Sequence, residues 1–439
     1  MLPLWGYGGE VESAGYVMSD AFKRDTAAWE LSQSGQSLFD AFEGYRSVDQ
    51  YGGLLFFSAA IYRFLGGATH MPLMLVVLTA AFSSLAVLFT WVFSQRVWDK
   101  DVAKIAAWGI AFYPEALLLG SSQMREAFTV SITIAALYGL ILIWQRLPKV
   151  GAAYIFLALM LGMPLSPTFT FLLIGVLGMI ALSLGEGKRN LNWRVVAGLG
   201  ILVCIGLVGI SLFGDEIMPN SEINPLLRIQ QWIKDTARWQ AHISSDVSGW
   251  MQRVFARTPV KMHAMILVAY GIVQPFLPAA IFAKGKTIWW GIAIVRALGW
   301  SSLLLLLIYA PIRALRKANR SVSLGASIAV WVVMMITALL GGGDQWDNPR
   351  YRAAFAGLQI ALAAWVWVEQ RRDPDPWLRR VLVGVGLVFL WFFPWYIRRY
   401  IPISGFAWPV VDLFKTFGLG LASAVLFAVW DWVQSKNQS

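Results

Sequence analysis

The sequence predicts an all-α protein that crosses a membrane many times. Three observations carry this. The 439 residues are 58% hydrophobic and only 14% charged, whereas a soluble domain of this size carries roughly 25% charged residues. Long apolar runs recur, many near the roughly 20 residues that cross a bilayer core. Lys and Arg sit in short clusters between those runs, as in cytoplasmic loops. These clusters account for the net charge of +11 without any nucleic acid partner. A β-barrel would show short alternating segments, and the sequence has none.

Residues 1–67 read as an outer, acidic opening region. Glu10, Glu12, Asp20, Asp25, Glu30, Asp40, Glu43 and Asp49 all fall between Gly9 and Gln50. Met1 to Gly9 lacks the basic start of a cleavable signal peptide. Gly52 to Gly67 is apolar but short and carries Arg63, which predicts an interfacial or half-inserted helix. The first clear span is Met71 to Ser94. Arg96, Lys100 and Lys104 mark its end as cytoplasmic, so the opening region is expected outside.

Further spans are expected near Val102–Leu118, Glu126–Trp144, Val150–Pro164, Thr168–Leu184 and Val195–Phe213. The connectors Arg146/Lys149 and Lys188/Arg189/Arg194 fall on alternate connections, as one consistent topology requires. That places Glu115–Arg125 outside, together with the long polar stretch 214–262, which reads as an outer cap with amphipathic helix around Leu226–Trp239. Trp232 and Trp239 there suit the membrane interface.

Ala264–Phe282 is apolar but broken by Gln274-Pro275 and Pro278. A full crossing would put the basic run from Arg313 to Arg320 outside, so a re-entrant or broken helix is expected instead. The spans Ile288–Ile312, Leu324–Leu340, Ala353–Val368, Val381–Tyr396 and Pro409–Val433 complete the chain. The total is about eleven crossings by the bilayer-thickness rule. An odd number leaves the N-terminus outside, which implies a preceding helix or a start further upstream. No tandem repeat and no low-complexity tract is present. Cys204 is the sole cysteine, so no intrachain disulfide forms.

Three outer clusters are candidates for chemistry. They are Asp20/Asp25 with Lys23 and Arg24; Glu115 with Arg125-Glu126; and Asp344, Asp347, Arg350, Tyr351 and Arg352. Charged groups at membrane depth are costly and usually have a job. Carboxylates suit proton abstraction or a metal. Arginines suit a phosphate, because the planar guanidinium makes paired hydrogen bonds to it. Each cluster also has a plainer reading: solvated loop charges, a helix-start pair favoured by the helix dipole, and headgroup anchors. His70, His242 and His263 lie far apart and have no metal-ligand spacing. Arg63, Arg296, Asp412 and Lys415 are expected to snorkel to the interface.

At this point the pattern resembles a family. Asp20–Gly35 (DAFKRDTAAWELSQSG) is similar to the first outer loop of the GT-C-fold glycosyltransferases, which include protein O-mannosyltransferase-like and lipid A aminoarabinose transferase-like proteins. The segment from Asp49 through Gly67 is similar to the family's approach to its second membrane helix. Tyr113-Pro114 with Arg125-Glu126, and Asn348-Pro349-Arg350-Tyr351-Arg352, look like its later outer elements. The resemblance implies a cell-envelope sugar transferase in the plasma (inner) membrane, using a polyprenyl-phosphate-linked sugar on the extracytoplasmic side. The acceptor would be a lipid, glycan or protein. An aspartate of the first loop would act as base, matching Asp25 narrowly ahead of Asp20. Glu126, with Arg125 and Glu115 nearby, matches the second-loop acidic region. Phosphate recognition would fall to Arg350, with Arg352 and Tyr351. The family's usual Asp-Glu pair is absent here, since Ala21 follows Asp20 and Thr26 follows Asp25. No cofactor is required by the resemblance, although the carboxylates leave room for a divalent metal. Rival readings are a polymerase or ligase of lipid-linked glycans, a transporter or flippase, and an inactive relative.

Overall fold

The computed structural model describes residues 16, 18–184, 227, 231, 234–236, 238–243, 249–283, 285–317, 321–398 and 412–437. Among the described residues the chain is helical and has no strand. Eight of the helices are long and apolar enough to cross a membrane, and up to ten spans result if each of two bent helix pairs counts as one. The protein is therefore a polytopic helical membrane protein. The expected span Val195–Phe213 lies outside the described residues.

The chain opens with α1 (Ser19–Gln33), a single 3-10 turn at Leu38–Phe42, and α2 (Gly53–Leu65). α2 has 13 residues, too few for a crossing, as its sequence predicts. Arg63 does not snorkel. It donates to the Leu31 and Gln36 carbonyls at 2.7 and 2.8 Å and so closes the C-terminal end of α1, whose last carbonyls have no partner within the helix.

α3 (Pro72–Val97) is the first full span. The next expected span, Val102–Leu118, is not continuous. It divides into α4 (Lys100–Phe112) and α5 (Pro114–Gly120), bent by 54°. Pro114 lacks the N–H that would continue α4 and is well placed at the first position of a new helix. α6 (Glu126–Trp144), α7 (Pro148–Leu165) and α8 (Pro167–Leu184) follow. α6 is the centre of the bundle, with 78% of its most apolar stretch buried. Packing there relies on close approach, because lipid is as apolar as leucine. Gly139 of α6 lies directly against the Gly151 backbone of α7, where a Cβ has no room.

After α9 (Gly249–Arg257) come α10 (Val260–Ile272) and α11 (Leu277–Phe282), with a cis Gln274-Pro275 bond between them. α12 (Thr287–Arg316), α13 (Ser321–Gly341), α14 (Asp347–Ala353), α15 (Ala356–Arg372), α16 (Pro376–Ile397) and α17 (Leu413–Asn437) complete the bundle. α14 meets α15 at 77°, so the expected span Ala353–Val368 is preceded by a separate short helix. α15 packs beside α6 in the core and is buried along nearly its whole length.

α10 does not cross. Arg257, just ahead of it, is 3.7 Å from Asp412 at the start of α17. Gly271, at its other end, lies against Asn348 of α14. Both contacts lie at the α14 end of the bundle. Asp412 does not snorkel either. Its carboxylate accepts from the Phe414 and Lys415 amides and caps α17.

The bundle has two chemically different ends. One carries Arg372 paired with Asp99 and Asp101, and Arg313 with Asp373 and Asp375. It also holds Lys317 on Glu369 and Arg379/Arg380 on Asp431. The other end gathers α1, α5, the start of α6 and α14.

Candidate active site at the α1–α14 end

The site is built around Arg350, on the single helical run of α14. Its Nη1 lies 3.4 Å from Asp20 of α1 and 3.5 Å from Asp347 one turn back. Its Nε lies 3.3 Å from Glu126, the first residue of α6. Three carboxylates from three elements thus converge on one guanidinium. Arg350 and Glu126 are mostly buried, whereas Asp20 and Asp347 are each about half exposed. The approach is ionic more than directional: Arg350 Nε and Glu126 Oε2 are buried without a hydrogen-bond partner. Buried polar atoms of this kind are costly and call for an explanation.

Two more arginines stand behind this group. Arg24, one turn after Asp20 on the same face of α1, is 4.0 Å from Asp49 and donates to the Gln123 carbonyl at 3.5 Å. Burial pushes its pKa down, and the Arg125 charge adds to that, against the pull of Asp49, Glu126 and Asp20. Arg125 lies over the Tyr51 ring at 5.1 Å and donates to the Leu165 carbonyl at 3.4 Å. Tyr351 sits beside Arg350, with the guanidinium 5.4 Å from its ring centroid. Among the described residues no three His, Cys, Asp or Glu side chains are grouped to hold a metal ion. Arg350 occupies the point where the carboxylates meet.

Asp25 stands apart. Five residues after Asp20, it faces a different side of α1, because five helical steps rotate about 140°. Its side chain is fully buried. Tyr16 donates to Oδ2 at 2.5 Å and Tyr62 of α2 to Oδ1 at 2.6 Å. His70 Nε2 lies 2.8 Å from Oδ2, though its N–H is not aligned for a straight hydrogen bond. Burial and the neighbouring carboxylate push the Tyr16 hydroxyl well above its ordinary pKa. His70 also stacks on Trp29, with ring centroids 5.2 Å apart. This is a closed, polar-filled pocket.

Glu115 and Arg352 are also enclosed. Glu115 pairs with Arg296 of α12 through two hydrogen bonds of 2.7 and 2.9 Å. Arg296, expected to snorkel, is 3% exposed. The Pro114 bend brings Glu115 within its reach, and a buried guanidinium needs a partner carboxylate. Arg352 lies 3.3 Å from the Trp300 ring centroid and donates to the Gln274 carbonyl at the helix break. The structure therefore brings together Asp20, Glu126, Arg125 and Arg350, with Tyr351 beside them, and holds Asp25, Glu115 and Arg352 in separate buried contacts. Sequence reasoning passed over Tyr16 and Tyr62, and named Asp49, His70 and Arg296 without assigning them to these contacts. Only the placement of Arg296 inside an apolar run was a usable signal for any of them.

Beside the site, α5 and the start of α12 enclose an apolar groove of about 840 Å³. Phe112, Leu117, Ile292 and Val295 form its walls, with Arg296 and Lys286 contributing the polar edge. Leu118 lines the groove and also packs in the small core that seats Ala21 of α1 and Ala353 of α14.

No family model and no curated protein matches this chain. Two solved structures do. One is the archaeal oligosaccharyltransferase AglB from Archaeoglobus fulgidus in complex with an inhibitory peptide and a dolichol-phosphate, at 15% identity and TM-score 0.43 over 92% of this chain and 51% of that one. The other is an Archaeoglobus fulgidus oligosaccharyltransferase in the apo form, at 15% identity and TM-score 0.44 over 93% and 50%. The chain thus spans about half the length of the solved proteins it matches.

Proposed function

We propose that this chain is a membrane glycosyltransferase that moves a sugar from a polyprenyl-phosphate donor to an acceptor at the outer face. The observation that carries the reading is the Arg350 cluster: a buried cation and the Glu126 carboxylate, each with one unpartnered polar atom, flanked by Arg24 and Arg125 and lying beside an apolar groove. Guanidinium groups hold phosphate oxygens in pairs, and the groove takes the isoprenoid chain that follows the phosphate. The opposite end holds Arg96, Lys100, Lys104, Arg313 and Arg371, a bias that supports an outer position for the Arg350 end. The described part of the opening region, from Ser19 to Leu65, would then lie on that outer side, while most of the expected cap 214–262 lies outside the described residues.

In the step, Asp20 takes the proton of the acceptor hydroxyl. The acceptor oxygen bonds to the anomeric carbon while the carbon–oxygen bond to phosphate breaks. The electron pair leaves on the phosphate, held by Arg350, and a single displacement inverts the anomeric centre. We assign the base to Asp20 and not Asp25, because Asp20 is half exposed beside Arg350 while Asp25 is enclosed by its own donors. Arg352 is left out of phosphate binding for the same reason.

The test is sugar transfer from polyprenyl-phosphate donors by the whole chain in liposomes. Asp20→Asn should abolish transfer and leave donor binding in place. Loss with Arg350→Gln but not Asp20→Asn would point to a polymerase or ligase of lipid-linked glycans. Absence of any transfer or lipid-phosphate binding would end the proposal.

A further inference from the structure

The Glu115–Arg296 pair has no place in the displacement step, yet it is an expensive feature. A buried ion pair loses more hydration than its attraction easily returns, and this one lies within apolar helices. Its surroundings give it a task. Arg296 and Pro114, the residue before Glu115, both line the apolar groove. On its other side, Arg296 Nη2 donates to the Gln345 carbonyl at 3.3 Å, and the guanidinium lies 4.2 Å from the Trp346 ring centroid. Trp346 also packs edge-on against Trp289 near the start of α12, at 5.7 Å.

Gln345 and Trp346 begin the turn that carries Arg350. Asp344 Oδ1 accepts from the Trp346 and Asp347 amides, both at 2.6 Å, and so starts α14. The Arg350 amide then bonds back to the Trp346 carbonyl at 3.4 Å. One helical turn therefore links the groove wall to the cation that faces Asp20 and Glu126. The coupling follows from dielectric. Arg296 is already 3% exposed, so an apolar chain acts by replacing the water beside the buried pair, which lowers the local dielectric and strengthens its contacts to Glu115 and Gln345, while a wetted groove weakens them.

We propose that Glu115 and Arg296 are positioning residues that hold the Arg350 turn in its binding arrangement when the groove is filled, so that this chain selects a phosphate attached to a long apolar chain. This rests on the lipid-phosphate reading above and adds how the lipid is discriminated.

The test is binding of a long-chain polyprenyl phosphate and of geranyl phosphate to the full chain in nanodiscs. The wild type should favour the long chain by about tenfold or more, equivalent to roughly 1.4 kcal/mol. Arg296→Lys loses the two-pronged pairing and the ring contact. It should collapse that preference by weakening long-chain binding while geranyl phosphate binds as before. Trp346→Leu leaves the ion pair and the Gln345 bond intact and removes the ring contact to the turn, so it should lower the same preference even if Arg296→Lys fails to fold. A purely structural pair would weaken both ligands alike in either variant, and that result overturns the inference, as does a preference retained in Trp346→Leu. Binding of neither ligand by the wild type would instead sink the lipid-phosphate reading itself.

Discussion

Asp20 and Asp25 sit on one helix, five residues apart, and have opposite surroundings. Asp25 is closed in by Tyr16, Tyr62 and His70. Asp20 is half in water with one arginine for company. The same side chain is architectural on one face of α1 and chemically accessible on the other. A carboxylate whose lone pairs are already taken holds a helix in place. One that shares an under-satisfied cation is available to a ligand.

The comparison can be pressed hardest at its open side. Arg350→Gln should lower sugar transfer by about 10²–10³, the usual scale for losing one donor to a developing negative charge. Lipid-phosphate binding should fall with it, as measured in nanodiscs. On the closed side, Asp25→Ala leaves two buried hydroxyls without an acceptor and should cost about 3 kcal/mol of stability in detergent unfolding. Asp20→Ala, by contrast, should stay within about 0.5 kcal/mol, as exposed sites do.

Tyr16 gives the comparison a pH signature. Its pKa is raised in the folded protein by burial and by Asp25. A raised folded pKa means that its contribution is fully present below tyrosine's ordinary value of about 10 and is lost as pH climbs above it. Stability should therefore decline on the alkaline side of that value. Tyr16→Phe should flatten the decline, read from melting temperature against pH. The smallest effect is expected at the other end of the bundle. Arg372→Gln breaks the exposed contacts to Asp99 and Asp101 and should leave transfer unchanged in the same assay.

Much of the architecture was legible before any coordinates. Apolar length and basic connectors locate α3, α6, α7 and α8, because crossing a bilayer imposes both. The proline breaks after Ile272 likewise mark where α10 ends, short of a full span. The bend at Pro114 was not legible, because membrane helices often tolerate proline. Its meaning lies in Arg296, 181 residues from Glu115. The choice between Asp20 and Asp25 was equally out of reach. It turns on Tyr62, 37 residues from Asp25, and on Arg350, 330 residues from Asp20. Local spacing says which face a residue takes, not what is waiting there.

The most direct measurement is transfer from a polyprenyl-phosphate sugar by Asp20→Asn and Asp25→Asn, with folding and donor binding recorded for each. Our assignment predicts an Asp20→Asn protein that is folded, binds donor and does not transfer, beside an Asp25→Asn protein whose folded fraction still transfers. Full turnover by Asp20→Asn, or a stable and inert Asp25→Asn protein, would contradict it.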